Sequence, residues 1–327
     1  GRAYLADGYR GLQIVELAQA TSPEPLGEAD TPDYAYDVVV AGAYAYVADR
    51  ASGLRVLAGS TPANPQTVGG VDPAGLVFGV ATAGNFAYLA ASTDGLHVVD
   101  VAQPGNPRIV GTLNTPGYTL QVAVAGVTAY LADRDGGLRI ADVSNPTNPR
   151  QVGNLDLPGN ALDVAVVGSH VLVAASSGGL LVIDVANPAS PRLAGQLVTS
   201  GSVVGVAVAG DLAYLAEYGS GLRVVDVSDP ADPRPVGYAR TPGLAWNVSV
   251  AGRWAYVADD DAGVQVIDVH DPTRPRLRGA APTSSYAWGV AASGSSVYVA
   301  QSQAGLAILP AACDVSAAPP PRPVALG

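Results

Sequence analysis

A 42-residue period constrains this chain more than any other feature. Tyr4, Tyr46, Tyr88, Tyr130, Leu172, Tyr214, Tyr256 and Tyr298 follow one another at intervals of 42, with no insertion between them. Gly11, Gly53, Gly95, Gly137, Gly179, Gly221, Gly263 and Gly305 recur at the same interval. Such a period means stacked copies of one supersecondary unit. It displaces the two ordinary domains that 327 residues would otherwise suggest.

One period shows what the unit is. Between Asp163 and Thr199 lie four short runs, the first three Val-rich, at 164–167, 171–174, 180–185 and 192–197, bounded by Gly, Pro, Ser or Asn. These are strand signals, and no segment carries a helical period. Four strands per period, here A to D, make a β-propeller blade. The B–C connection is a short hairpin, such as 133–137. Its closing Gly137 is expected to take φ > 0 and re-enter the strand through a bulge. The C–D connection carries Pro-x-x-Pro-Arg at 104–108, 146–150, 188–192, 230–234 and 272–276. Proline cannot donate to a ladder, so it belongs between strands.

The expected fold class is therefore all-β, a β-propeller of four-stranded antiparallel blades forming a single domain over residues 1–312. Counting strands favours eight blades, with seven the alternative. The first blade lacks its innermost strand A, which by register would precede Gly1. Residues 313–327 read as the last outer strand, or as a Pro-rich linker toward an adjoining domain. Cys313 is then a free thiol, or pairs with that domain or another chain.

Composition limits the partners. The net charge is −11 and all 17 basic residues are Arg. An acidic surface repels phosphate backbones, so nucleic acid is not expected. No apolar run reaches the ~18 residues of a membrane helix, so direct membrane insertion is not expected either.

Catalytic motifs are not found. His97, His170 and His270 fall at different repeat positions in different blades and read as surface residues, not as one site. Glycine-rich patches such as 176–179 are hairpin turns, not phosphate loops. No catalytic residue, cofactor or metal is expected. The acids ending B strands, Asp49, Asp133, Glu217 and Asp259 among them, read as caps of their turns. Asp133 with Asp135, and Asp259 with Asp261, are weak calcium candidates that lack further oxygen ligands. Asp100, Asp142, Asp184, Asp226 and Asp268 read as turn caps or partners of the Pro-Arg arginines.

Positions that differ between repeats are more informative, because blade packing does not dictate them. Tyr34, Tyr36, Phe78, Tyr118, Trp246, Tyr286 and Trp288 fall in D–A loops or at the starts of A strands. Tyr36, Phe78, Leu120, Leu162, Val204, Trp246 and Trp288 share one register position, which would ring the mouth of the central channel. Asp37, Gln121, Asp163 and Asn247 follow them directly. Aromatic faces beside carboxylates and amides suit sugars or peptide side chains. The same aromatics could instead pack between blades as ordinary core.

The phrase Gly-Leu-x-Val-x-Asp-Val-x-x-Pro-x-x-Pro-Arg, visible at 95–108 and 221–234, resembles the LVIVD repeat family. The second repeat departs from it with Ala58 in place of Asp. The resemblance implies a bacterial or archaeal cell-surface or extracellular propeller and supplies no catalytic residues. The expected function is a non-catalytic scaffold that binds a protein or glycan through its channel-mouth face. One alternative is a polysaccharide lyase or hydrolase using Asp37 and Asp163. Another is a structural spacer or assembly subunit.

Overall fold

The structure is a computed structural model that describes residues 2–6, 11–16, 24–58, 66–281, 283, 286–293, 296–301 and 305–310. Every regular element among them is a β-strand. The fourth repeat places its strands at Asp163–Val167, His170–Ala174, Leu180–Asp184 and Arg192–Leu197. They pair in order as one antiparallel sheet.

The blade count corrects the expectation of eight, or seven. Among the described residues, six sheets are four-stranded antiparallel blades, spanning residues 37–71, 79–113, 121–155, 163–197, 202–240 and 247–281. They are called the first to sixth blades below. The other strands form two three-stranded sheets. One contains Arg2–Ala6, Gly11–Glu16 and Glu24–Asp30; the other contains Ala287–Ser293, Ser296–Gln301 and Gly305–Pro310. Arg2–Ala6 lies against Ser296–Gln301 and Gly305–Pro310, so these sheets meet each other instead of standing as separate complete blades. A sequence period counts copies, whereas a blade requires four strands that pair. The possible outer strand or linker at 313–327, with Cys313, lies outside the described residues.

The inner strands sit side by side around the channel. Ala287–Ser293 touches Asn247–Ala251 on one side and Asp37–Ala41 on the other. The core lies between neighbouring blades. Tyr46, Leu54 and Val56 of the first blade, for example, pack with Val80, Leu89 and Val99 of the second. The periodic Tyr46, Tyr88, Tyr130, Leu172, Tyr214 and Tyr256 are all buried.

The turn chemistry agrees in part with the sequence. Gly53, Gly95, Gly137, Gly179, Gly221 and Gly263, which close the B–C hairpins, all have positive φ, between 73° and 116°. The bulge, however, lies one pairing further out, in the C–D ladder of each blade. In the third blade it falls beside Gly153. A Cβ on Gly153 would overlap the carbonyl oxygen of Pro188 in the next blade's C–D loop. The bulge thus turns a bare backbone toward the neighbouring Pro-x-x-Pro loop and lets the outer edges of two blades touch.

Candidate functional site

The D–A segments and B–C turns share one face of the ring, because strands A to D run antiparallel. Main-chain bridges fix them to each other across blades. Arg50 of the first blade exchanges N–H···O bonds of 3.1 and 3.0 Å with Val77, just before the second blade. Ser92–Thr119, Arg134–Ala161, Ser176–Val203 and Asp260–Ala287 repeat the bridge. The first residue of each of these turns is left-handed without being glycine, with φ from 43° to 57°. The mouth is therefore built on a rigid rim.

On this rim, Tyr36, Phe78, Leu120, Leu162, Val204, Trp246 and Trp288 line one cavity of about 280 Å³. All seven are half-buried or exposed, so they line the channel mouth and do not belong to the interblade core. The aromatic members gather on one arc. Tyr36 lies 4.6 Å from Trp288 and 4.7 Å, edge-on, from Phe78 (ring centroids). Tyr34 stacks on Trp288 at 6.5 Å and Tyr118 tilts against Phe78 at 5.6 Å. Tyr218, not singled out in the sequence, meets Trp246 edge-on at 5.0 Å. The Trp246 indole N–H donates to Asp260 (3.2 Å), and Arg50 covers the Tyr34 ring. Tyr286 stands 48% exposed on the same face.

One residue deeper, the polar positions of the ring hold neighbouring blades together. Asp37 accepts N–H bonds from Val38 (2.8 Å) and from Val80 of the second blade (3.0 Å), and a third from the Gln121 side chain (3.1 Å). Asp163 accepts from Val164 (2.7 Å) and from Val206 of the fifth blade (2.8 Å). Burial pushes the Asp163 carboxyl up to about 7 against these bonds, and Asp37 nearby adds to the rise. Burial raises Asp37 as well. Asn247 sits half-buried at the same register position.

A family comparison adds to this geometry. The LVIVD repeat matches at residues 32–72, 74–115, 116–156, 158–199, 200–241, 242–283 and 284–318. The chain belongs to the LVIVD repeat family. Each LVIVD segment contributes one residue to the mouth cavity. No curated protein matches the chain. Among solved structures, the fold is similar to the computationally designed Ika8 protein (TM-score 0.70, 10% identity, 94% of this chain and 96% of that one). It is also similar to the Myceliophteria thermophila Cps50 (Swd1) β-propeller domain (0.68, 10%, 84% and 95%). A third likeness is to U3-55K (0.71, 12%, 85% and 95%). At these identities the likeness is one of fold.

The acids that end B strands in the LVIVD repeats do not cap their own turns. Asp49, Asp133 and Asp259 tie down the preceding D–A loop, whereas Glu217 pairs with Arg223 of strand C. Asp133 accepts from the hydroxyls of Thr115 (2.6 Å) and Thr119 (2.7 Å) and from the Gly117 N–H (2.9 Å). Arg139 approaches it at 3.6 Å. Asp259 accepts from Thr241 and Gly243 in the same way. These oxygens, proposed above as weak calcium ligands, are committed to hydroxyl and amide donors, while Asp135 and Asp261 stay exposed. Among the described residues, no group of three His, Cys, Asp or Glu side chains could hold a metal ion.

This clamp varies largely as a set, although the sixth blade keeps Thr241 and Asp259 with Gln265 in place of the arginine. Thr31, Asp49 and Arg55 occupy its three positions in the first blade; Thr115, Asp133 and Arg139 in the third; Thr199, Glu217 and Arg223 in the fifth. The fourth blade has Leu157, Ala175 and Leu181 instead. In the second blade the cationic position is His97, which is buried, not on the surface as expected, with neither ring nitrogen hydrogen-bonded. Burial lowers its pKa, favouring the neutral ring beside Ala91. The sequence signal was the joint substitution 18 and 6 residues either side of the acid.

The second series of acids does cap turns. Asp100, Asp142, Asp184 and Asp226 each accept the N–H two residues on at 2.9 Å, and Asp268 does so at 3.1 Å.

Proposed function

We propose that this protein is a non-catalytic binding scaffold whose channel-mouth cavity receives one ring or side chain of a glycan or protein ligand. The observation that carries this reading is the cavity itself: half-buried aromatics on one arc of a rigid rim, at a register position that the core leaves free to vary. A volume of about 280 Å³ lies at the small end of ligand pockets and suits a single sugar ring or one apolar side chain. An aromatic face supplies apolar area, and the Asp260 carboxylate beside Trp246 supplies a polar contact at the edge. The channel carboxylates favour this reading over a lyase or hydrolase, because both oxygens of Asp37 and of Asp163 already accept strand N–H groups. Placement on or outside the cell is part of the same proposal and rests on family resemblance.

The test is a panel of oligosaccharides and of peptides with aromatic or aliphatic tips, assayed for binding and turnover. Saturable binding that Trp288→Ala or Trp246→Ala abolishes, with melting temperature nearly unchanged, supports the reading. Binding indifferent to both substitutions overturns the site. Turnover of any panel member that Asp163→Asn abolishes overturns the non-catalytic reading.

A further inference from the structure

The chain is acidic, yet the sixth blade gathers arginine on the face opposite the mouth. Arg253 lies in its A–B turn. Arg274 and His270 lie in its C–D loop, and Arg276 and Arg278 lie on its outer strand Arg276–Ala281. The four guanidiniums and His270 line one open cavity of about 200 Å³.

Two carboxylates, Asp268 and Asp271, share the cavity wall and only part of this charge. Asp268 takes Arg253 at 2.7 Å and Arg278 at 3.2 Å. It also accepts the His270 N–H, and Arg253 holds its carboxyl down to about 2. Asp271 spends one oxygen on the Thr273 N–H and hydroxyl. Arg274 and Arg276 make no salt bridge among the described residues and act on Asp271 only at longer range. Among the residues that line the cavity, four guanidiniums face two carboxylates, and the surplus sits on Arg274 and Arg276.

The repeat shows that packing does not require this arrangement. Every blade from the second to the sixth carries the Pro-Arg arginine that Arg276 represents. The other four residues are departures confined to the sixth blade. In the fifth blade the same places hold Asp211, Ser228, Asp232 and Val236; in the fourth, Ser169, Ala186, Ser190 and Ala194. Those blades fold with the same strands and the same bulge. Arg274, Arg276 and Arg278 are exposed, so burial does not explain them either.

We propose that this cavity is an oxyanion-binding site for a phosphate or sulfate group. The shared chemistry is a compact tetrahedral dianion, which guanidinium forks hold through paired N–H···O bonds. A water occupies ~30 Å³ of liquid, so the cavity admits the group and part of its carrier. Both free forks, Arg274 and Arg276, come from one loop–strand junction, while Asp268 fixes Arg253 and Arg278 from below.

The experiment is calorimetric titration of the whole protein with inorganic phosphate, sulfate and pyrophosphate at low and high salt. Saturable binding of at least one, weakened tenfold or more in Arg274→Ala/Arg276→Ala and unaffected by Arg234→Ala at the equivalent place in the fifth blade, is the expected result. A preference for phosphate or for sulfate then identifies the source group. No saturable binding by the unaltered protein up to tens of millimolar overturns the proposal, as does binding equal in the double variant. The double variant's melting temperature should match the parent's. Trp288→Ala, which alters the mouth, should leave anion binding unchanged, so this site stands or falls apart from the mouth.

Discussion

The Asp163 carboxylate accepts the backbone N–H of Val206, one blade further round the ring, at 2.8 Å. Asp37 reaches Val80 in the same way at 3.0 Å. Both acids point forward along the chain, and both are held in the channel wall against the cost of burial.

That cost makes stability fall as pH rises through the weakly acidic range. The folded pKa of Asp163 is about 7, above the ~3.9 of an unfolded aspartate. Between these values the unfolded chain has released the proton and the folded chain has not. Each pH unit there removes up to about 1.4 kcal/mol of folding free energy per group, and the slope ends above pH ~7. Asp49, raised to about 7 by burial, adds to the trend. Thermal melts from pH 4 to 8 should show this decline, and Asp163→Asn should make it shallower. An identical slope in the variant would assign the effect elsewhere.

Aromatic truncations should separate rim from core. Tyr256 is fully buried, and Tyr256→Ala should cost about 3–5 kcal/mol by denaturant unfolding. Trp246 is 36% exposed at the cavity edge, and Trp246→Ala should cost about 1 kcal/mol. Similar losses at both sites would mean that the rim is structural.

The clamp in the third blade should be transferable as a set. Asp133→Ala leaves Thr115, Thr119 and Arg139 without their buried acceptor and should cost about 3–5 kcal/mol. Adding Thr115→Leu, Thr119→Ala and Arg139→Leu copies the fourth blade, which carries Leu157, Ala161, Ala175 and Leu181. The fourfold variant should recover most of the loss, because an apolar set of similar volume replaces the buried ions. No recovery would show that the two blades are not interchangeable here.

Contact between outer blade edges should tolerate no side chain. Gly153→Ala places a Cβ against the Pro188 carbonyl and should lower stability by about 1–3 kcal/mol. The substitution Ser169→Ala, in an exposed turn, serves as a neutral control. A neutral Gly153→Ala would mean that the outer edges separate freely.

The blade was legible in the sequence almost to the residue, because strands of five or six residues between Gly and Pro leave little choice of boundary. The blade count was not. The first copy offers the strands Arg2–Ala6, Gly11–Glu16 and Glu24–Asp30, and pairing, not copy number, decides what completes a sheet. The mouth ring from Tyr36 to Trp288 was legible as a register position. Whether it was buried depended on the width of the channel, which a repeat pattern does not encode. The arginine cavity was missed because Arg253 and Arg274 meet only once the A–B turn and the C–D loop share a face. Its signal was the set of residues by which the sixth repeat differs from the fifth.

The forward-pointing acids have an evolutionary consequence. Their partners on the next blade are main-chain N–H groups, at Val80 and Val206, which any copy of the repeat presents whatever its side chains. Gly153 likewise meets a main-chain carbonyl. At these points a repeat is fastened to its neighbour whatever side chains that neighbour carries, so sequence drift in one copy leaves the seam with the next intact.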